Sequence, residues 1–91
     1  MNSKAPVRNR PLELVLSPVD NTLLANLCGA LDENLRQIET ALDVTIARRG
    51  ERFTVQGSRI GQARQAVEAL QHFYASAQKP LSVDNIQLGL I

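Results

Sequence analysis

The residues of this 91-residue chain that could do chemistry are few, and most are cationic. Arg48, Arg49 and Arg52 crowd one short segment, Arg48-Arg49-Gly50-Glu51-Arg52, and Arg36 lies upstream in a stretch of helical pattern. Grouped guanidinium groups can hold phosphates or stack on bases. The same cluster, with Glu51 inside it, also reads as a solvated hairpin end whose like charges keep sheet edges apart. Cys28 is the only cysteine and His72 the only histidine. An internal disulfide and any catalytic set with two of either residue are therefore excluded, and a thiolate metal site is not expected. Cys28 closes an apolar helical stretch and reads as a small core residue. His72, four residues after Glu68, makes an ordinary helix pair. Asp32 and Glu33 leave a helix start on different sides, so they do not form a dyad. The five glycines form no phosphate-binding loop of the Gly-x-x-x-x-Gly-Lys-Ser/Thr kind. The chain reads as a binding domain without a cofactor or metal of its own, and not as an enzyme.

Composition agrees. Ten basic residues against nine acidic ones exclude a uniformly basic nucleic-acid coat. No run of 18 apolar residues is present, so no helical membrane span is expected. The opening Met1-Asn2-Ser3-Lys4-Ala5-Pro6 lacks the apolar stretch of a signal peptide. The length suits one domain.

Several elements must position these residues. Residues 1–11, with Pro6 and Pro11, are predicted to be a disordered leader. Leu12-Glu13-Leu14-Val15-Leu16 alternates and predicts a strand with its leucines inward. Ser17, Pro18 and Asp20 predict a helix over 18–28 with Ser17 as its cap, stopped by Gly29. Asp32 is expected to cap a second helix, in which Leu35, Ile38 and Leu42 face inward and Arg36, Gln37 and Glu39 outward. Val44–Arg49 and Arg52–Gln56 predict two strands joined by Gly50-Glu51, a glycine-first pair suited to a type II′ turn. A long helix is expected over about 59–78, with a stripe of Ile60, Ala63, Val67, Leu70, Tyr74 and Ala77. A last helix begins at Ser82, with Leu81 and Ile86 placed for a hydrophobic staple. The pattern predicts an α+β fold: a three-stranded antiparallel sheet with helices on one face and an additional C-terminal helix. The other face, bearing Glu13, Val15, Thr45, Ala47, Arg49, Thr54 and Gln56, faces water or a partner.

The order β-α-α-β-β-α is that of the minimal KH module, a single-stranded nucleic-acid binder. The stretch Leu27-Cys28-Gly29-Ala30-Leu31-Asp32-Glu33-Asn34-Leu35-Arg36-Gln37-Ile38 resembles its helix, Gly-x-x-Gly loop and following helix. Gly29 matches the first glycine, and Asp32 stands where the second belongs. A KH-like domain over 12–79 is therefore expected, with Gly29, Arg36, Arg48, Arg49 and Arg52 as its nucleic-acid-binding residues. The carboxylate of Asp32 can take the helix N–H groups itself and meets an incoming phosphate with like charge.

From about Leu14 to Leu90 the chain is also similar to the N-terminal domain of bacterial PhoH-like ATPases. The carrying pieces are Asn26-Leu27-Cys28-Gly29, Glu33-Asn34-Leu35-Arg36-Gln37-Ile38-Glu39, Arg48-Arg49-Gly50 and Leu81-Ser82-Val83-Asp84-Asn85-Ile86. The resemblance implies a cytoplasmic protein of RNA metabolism and phosphate-starvation response. It also implies that a P-loop ATPase domain follows residues 80–91, and that ATP and magnesium belong to that domain alone. The expected role is to present single-stranded RNA to the ATPase. The alternative is a protein-interaction or homo-oligomerisation module without RNA binding, favoured by near-neutral charge and the apolar Leu88, Leu90 and Ile91.

Overall fold

The computed structural model describes residues 10–91, so the leader predicted over 1–11 lies almost wholly outside the described residues. Along the chain run β1 (Leu12–Val15), α1 (Asn21–Cys28), α2 (Glu33–Leu42), β2 (Val44–Arg49), β3 (Arg52–Gly57), α3 (Ile60–Ala75) and α4 (Val83–Gly89). A single 3-10 turn, Ala30–Asp32, joins α1 to α2. The three strands form one antiparallel sheet in the order β1-β3-β2. The α+β architecture expected from the sequence is present.

Strand alternation decides which side each residue serves. Leu14, Leu16, Val44, Phe53 and Val55 are buried toward the helices, while Glu13, Val15, Thr45, Ala47 and Arg49 are exposed on the other face. The β2–β3 hairpin turns through Gly50 at φ 58, and Glu51 is not among the residues of positive φ. A left-handed first residue alone fits the expected type II′ turn.

The ladder also fixes which main-chain groups face outward. The Leu16 N–H donates to the Glu51 carbonyl at 3.1 Å, continuing the register that pairs Leu14 with Phe53 and Leu12 with Val55. Bonding alternates along an antiparallel pair. Leu12, Leu14 and Leu16 therefore face β3, and the N–H and C=O groups of Glu13 and Val15 point away from the sheet. On the opposite side Arg49 and Arg52 flank the two-residue turn as a bonded pair. Val44, Ile46 and Arg48 consequently turn their main-chain groups to the outer edge of β2.

Two helix starts differ from expectation. Helix α1 begins at Asn21, not Pro18, and its cap is Asp20, not Ser17. The Asp20 carboxylate accepts from the N–H groups of Thr22 at 2.8 Å and Leu23 at 3.1 Å. Asp caps as well as Ser. Its use here leaves residues 17–19 to bridge β1 to α1, where the Pro18 carbonyl accepts the Tyr74 hydroxyl at 2.6 Å. Asp32 precedes α2 but makes no side-chain cap. A capping residue needs extended backbone, and Asp32 is left-handed at φ 56, ψ 30, which turns its carboxylate elsewhere.

Helix α3 ends at Ala75, short of the expected residue 78, and Ile60 at its first position is exposed. Its buried side is Ala63, Ala66, Leu70, Phe73 and Tyr74, with Val67 half-buried. Helix α4 starts at Ser82 with a reciprocal capping box to Asn85, and Ile86 and Leu81 both join the core. Gly89 lies flat on Phe73: a Cβ there would fall 2.5 Å from the Phe73 ring.

Two asparagines bind this last segment to the rest. The Asn26 Nδ2 donates to the Ala77 carbonyl at 2.7 Å. The fully buried Asn34 donates through Nδ2 to the carbonyls of Leu27 at 2.9 Å and Leu81 at 2.8 Å. No helix among the described residues is long and apolar enough to cross a membrane.

Candidate nucleic-acid interface

The loop from Gly29 to Asp32 sits between α1 and α2, and its backbone is tightly specified. Gly29 has φ 77, and a Cβ there would come 3.0 Å from Asn34 Nδ2 and 3.0 Å from Glu33 Cγ. Both the positive φ and the near approach of Asn34 demand glycine. Leu31 and Asp32 follow at φ 52 and 56. A leucine in the left-handed region is uncommon, and this one is 87% exposed. The Asp32 N–H donates to the Gly29 carbonyl at 3.2 Å and the Glu33 N–H to the Ala30 carbonyl. These bonds satisfy the N–H groups of Asp32 and Glu33, not those of the second and third helical positions that a capping side chain would take.

The five residues singled out in the sequence fall into two groups. Gly29, Arg36 and Arg48 gather about the loop. Arg36 Nη1 donates to the Leu31 carbonyl at 2.6 Å. Arg48 places Nε 4.0 Å from the Asp32 Oδ1 and donates from Nη1 to the Gly50 carbonyl at 3.0 Å. Arg49 and Arg52 stand opposite each other on the exposed face of the sheet. The reason is strand parity: Arg48 is in phase with Val44 and Ile46, Arg49 with Thr45 and Ala47. That signal was present in the sequence, where adjacency in the chain suggested one cluster.

The Asp32–Arg48 contact is the one ion pair among the described residues. Both side chains are partly exposed, 30% for Arg48 and 52% for Asp32, so solvent screens the pair and it is worth roughly 0–1 kcal/mol. An external anion can compete for Arg48 on those terms. Glu39 was expected to face solvent from α2. It is half-buried, and its Oε2 accepts the outward N–H of Ile46 at 2.7 Å. The edge of β2 beside the loop is therefore already engaged by the chain itself. Sequence pattern gave no sign of this, because a glutamate on a helix face has the same signature whether it meets water or a strand.

Arg49 and Arg52 border an open cleft of about 270 Å³ at the hairpin end of the sheet, which Arg48 also lines, together with Glu13, Val15, Ala47 and Thr54. Neither arginine has a carboxylate within ion-pair distance among the described residues.

The remaining reactive groups are quiet. Burial pushes the Cys28 thiol up to about 11, outweighing the lowering effect of Arg48, with Asp32 adding a small rise. A thiol held protonated is a poor nucleophile. His72 is exposed and meets Phe73 edge-on, with ring centres 5.7 Å apart. Glu68 does not reach it within ion-pair distance. Among the described residues, no group of three or more His, Cys, Asp or Glu side chains is placed to hold a metal ion.

No protein-family model matches the chain, and no solved structure matches it.

Proposed function

We propose that this chain is a KH-like domain that binds single-stranded RNA, as the accessory of a cytoplasmic PhoH-like ATPase whose P-loop domain carries the ATP and magnesium chemistry. The supporting observation is the meeting of the Gly29–Asp32 loop with Arg48. A KH module clamps the sugar–phosphate backbone at the loop between its first two helices. Here that loop carries a glycine of positive φ, and a carboxylate, Asp32, rests beside the guanidinium that a phosphate would seek. A phosphate would exchange with the Asp32 carboxylate on Arg48 and draw Arg36 from the Leu31 carbonyl. The exchange is affordable because the resident pair is solvent-screened. Arg49 and Arg52, on the far side of the hairpin tip, contribute attraction at longer range.

Titration of the labelled chain with short mixed-sequence RNA at low and moderate salt tests this. Amide shifts are expected at Gly29, Arg36 and Arg48–Arg52, fading as salt rises. Arg36→Ala with Arg48→Ala should weaken binding by about tenfold or more, at the scale of two lost charge-assisted contacts. Arg49→Ala with Arg52→Ala should weaken it less. Undiminished binding by the Arg36/Arg48 double variant would remove the assigned surface.

A further inference from the structure

The outer edge of β1 lacks the side-chain hold that Glu39 gives β2 at Ile46. Glu13 and Val15 turn their N–H and C=O groups outward, and none of these has a partner among the described residues. Native proteins seldom leave a paired-strand template open. Beside this edge runs an open cleft of about 440 Å³, lined by Val15, Leu16, Pro18, Leu23, Tyr74 and Ala75 among others. Val15 itself is 49% exposed.

We propose that this edge receives a second copy of the same chain, β1 against β1 in antiparallel pairing, with Glu13 of each copy opposite Val15 of the other. The sheet then continues over six strands. Three symmetric registers use the outward groups, and charge and proline select among them. Placing Glu13 opposite Glu13 sets two carboxylates face to face and puts Val15 opposite Pro11, which has no N–H. Placing Val15 opposite Val15 brings the two Arg49–Arg52 rows toward each other. Placing Glu13 opposite Val15 makes four main-chain hydrogen bonds, because both residues offer an outward donor and acceptor. It also extends the row Arg49, Arg52, Val15 of one copy by Glu13 of the other. Each Glu13 then stands two strand spacings, about 10 Å between backbones, from the second copy's Arg52. The two long side chains can meet above Val15 and cover it. This supplies a carboxylate to an arginine that has none within ion-pair distance among the described residues of its own chain. On the helix side the same register sets Leu14 against Leu14 at the two-fold axis. It also brings the half-buried Leu12 of each copy to Leu16 at the mouth of the cleft.

The proposal does not depend on RNA binding. It is tested by sedimentation equilibrium over a concentration series, with amide hydrogen exchange read at Glu13 and Val15. Self-association is expected, with both amides slowing as concentration rises. Val15→Pro should abolish it, since the proline removes only an outward N–H and leaves the bonds to β3 intact. Glu13→Lys should weaken it by about tenfold or more through like charge, and Glu13→Lys combined with Arg52→Glu should restore it. The charge-swap series decides the matter even if the proline variant fails to fold. A monomer at all concentrations with fast-exchanging amides would overturn the proposal. So would protection that ignores concentration, which would mean that the chain covers its own edge, and so would a charge swap that does not rescue.

Discussion

Along β2 the outward N–H of Ile46 is taken by Glu39 from α2, and Arg48 closes the hairpin end against Asp32. Along β1, the groups of Glu13 and Val15 find nothing among the described residues. The sheet thus has one edge held by its own helix at Ile46 and one with no such hold. The contrast follows from where the helices lie. Helix α2 passes directly into β2 through Asp43, whose left-handed backbone at φ 55 reverses the chain tightly and keeps helix and edge side by side. Helix α1 is separated from β1 by five residues, 16–20, and no side chain of α1 bonds the outward groups of Glu13 and Val15.

Three substitutions would break or sharpen this contrast. The largest effect is expected from Ile38→Ala. Ile38 is fully buried and secures α2 in the core; its truncation should cost about 2–5 kcal/mol in denaturant unfolding. If α2 is what shields β2, Ile46 should also lose amide protection selectively. A second effect concerns Cys28, at the foot of the covered side. Its thiol is raised from 9.0 to about 11 in the folded chain, so the unfolded state releases a proton first as pH rises. Stability contributed by the neutral thiol is complete below pH 9 and is lost between pH 9 and 11, by roughly 2–3 kcal/mol at the upper end. Cys28→Ala should flatten that part of the stability–pH curve; an unchanged slope would show that the thiol is not the cause. Smaller again is Glu39→Ala, expected to cost about 1–2 kcal/mol and to speed exchange at Ile46 while leaving Val15 unchanged. Equal effects at both edges would erase the distinction.

Much of the scaffold was legible in the residues. The alternation of Leu12, Leu14 and Leu16, the Gly50-Glu51 turn, the glycine that ends α1 and the Ser82 start of α4 all act locally, and each stands as the sequence indicated. The errors arose where two residues of equal local merit competed. Ser17 and Asp20 are both good caps, and the Pro18 carbonyl between them is engaged by Tyr74, 56 residues away, a contact that no local pattern reveals. Asp32 has the chemistry of a cap but not the backbone for it, because the turn before α2 is left-handed at two successive residues. The candidate interface was legible as a set of residue types and less so as a surface. Parity splits Arg48 from Arg49 and Arg52, and the bond from Ile46 to Glu39 joins elements whose contact no single-segment pattern reveals.

The amide of Asn34 gives the molecule a strut. One nitrogen holds the Leu27 carbonyl at the end of α1 and the Leu81 carbonyl just ahead of α4, in a setting where a lost buried bond costs about 1–3 kcal/mol. Gly29 is pressed against the same group. Mechanically, the segment that leads into α4 and the Gly29–Asp32 turn are tied through one side chain, so a ligand that reshapes the turn is expected to be felt at Leu81.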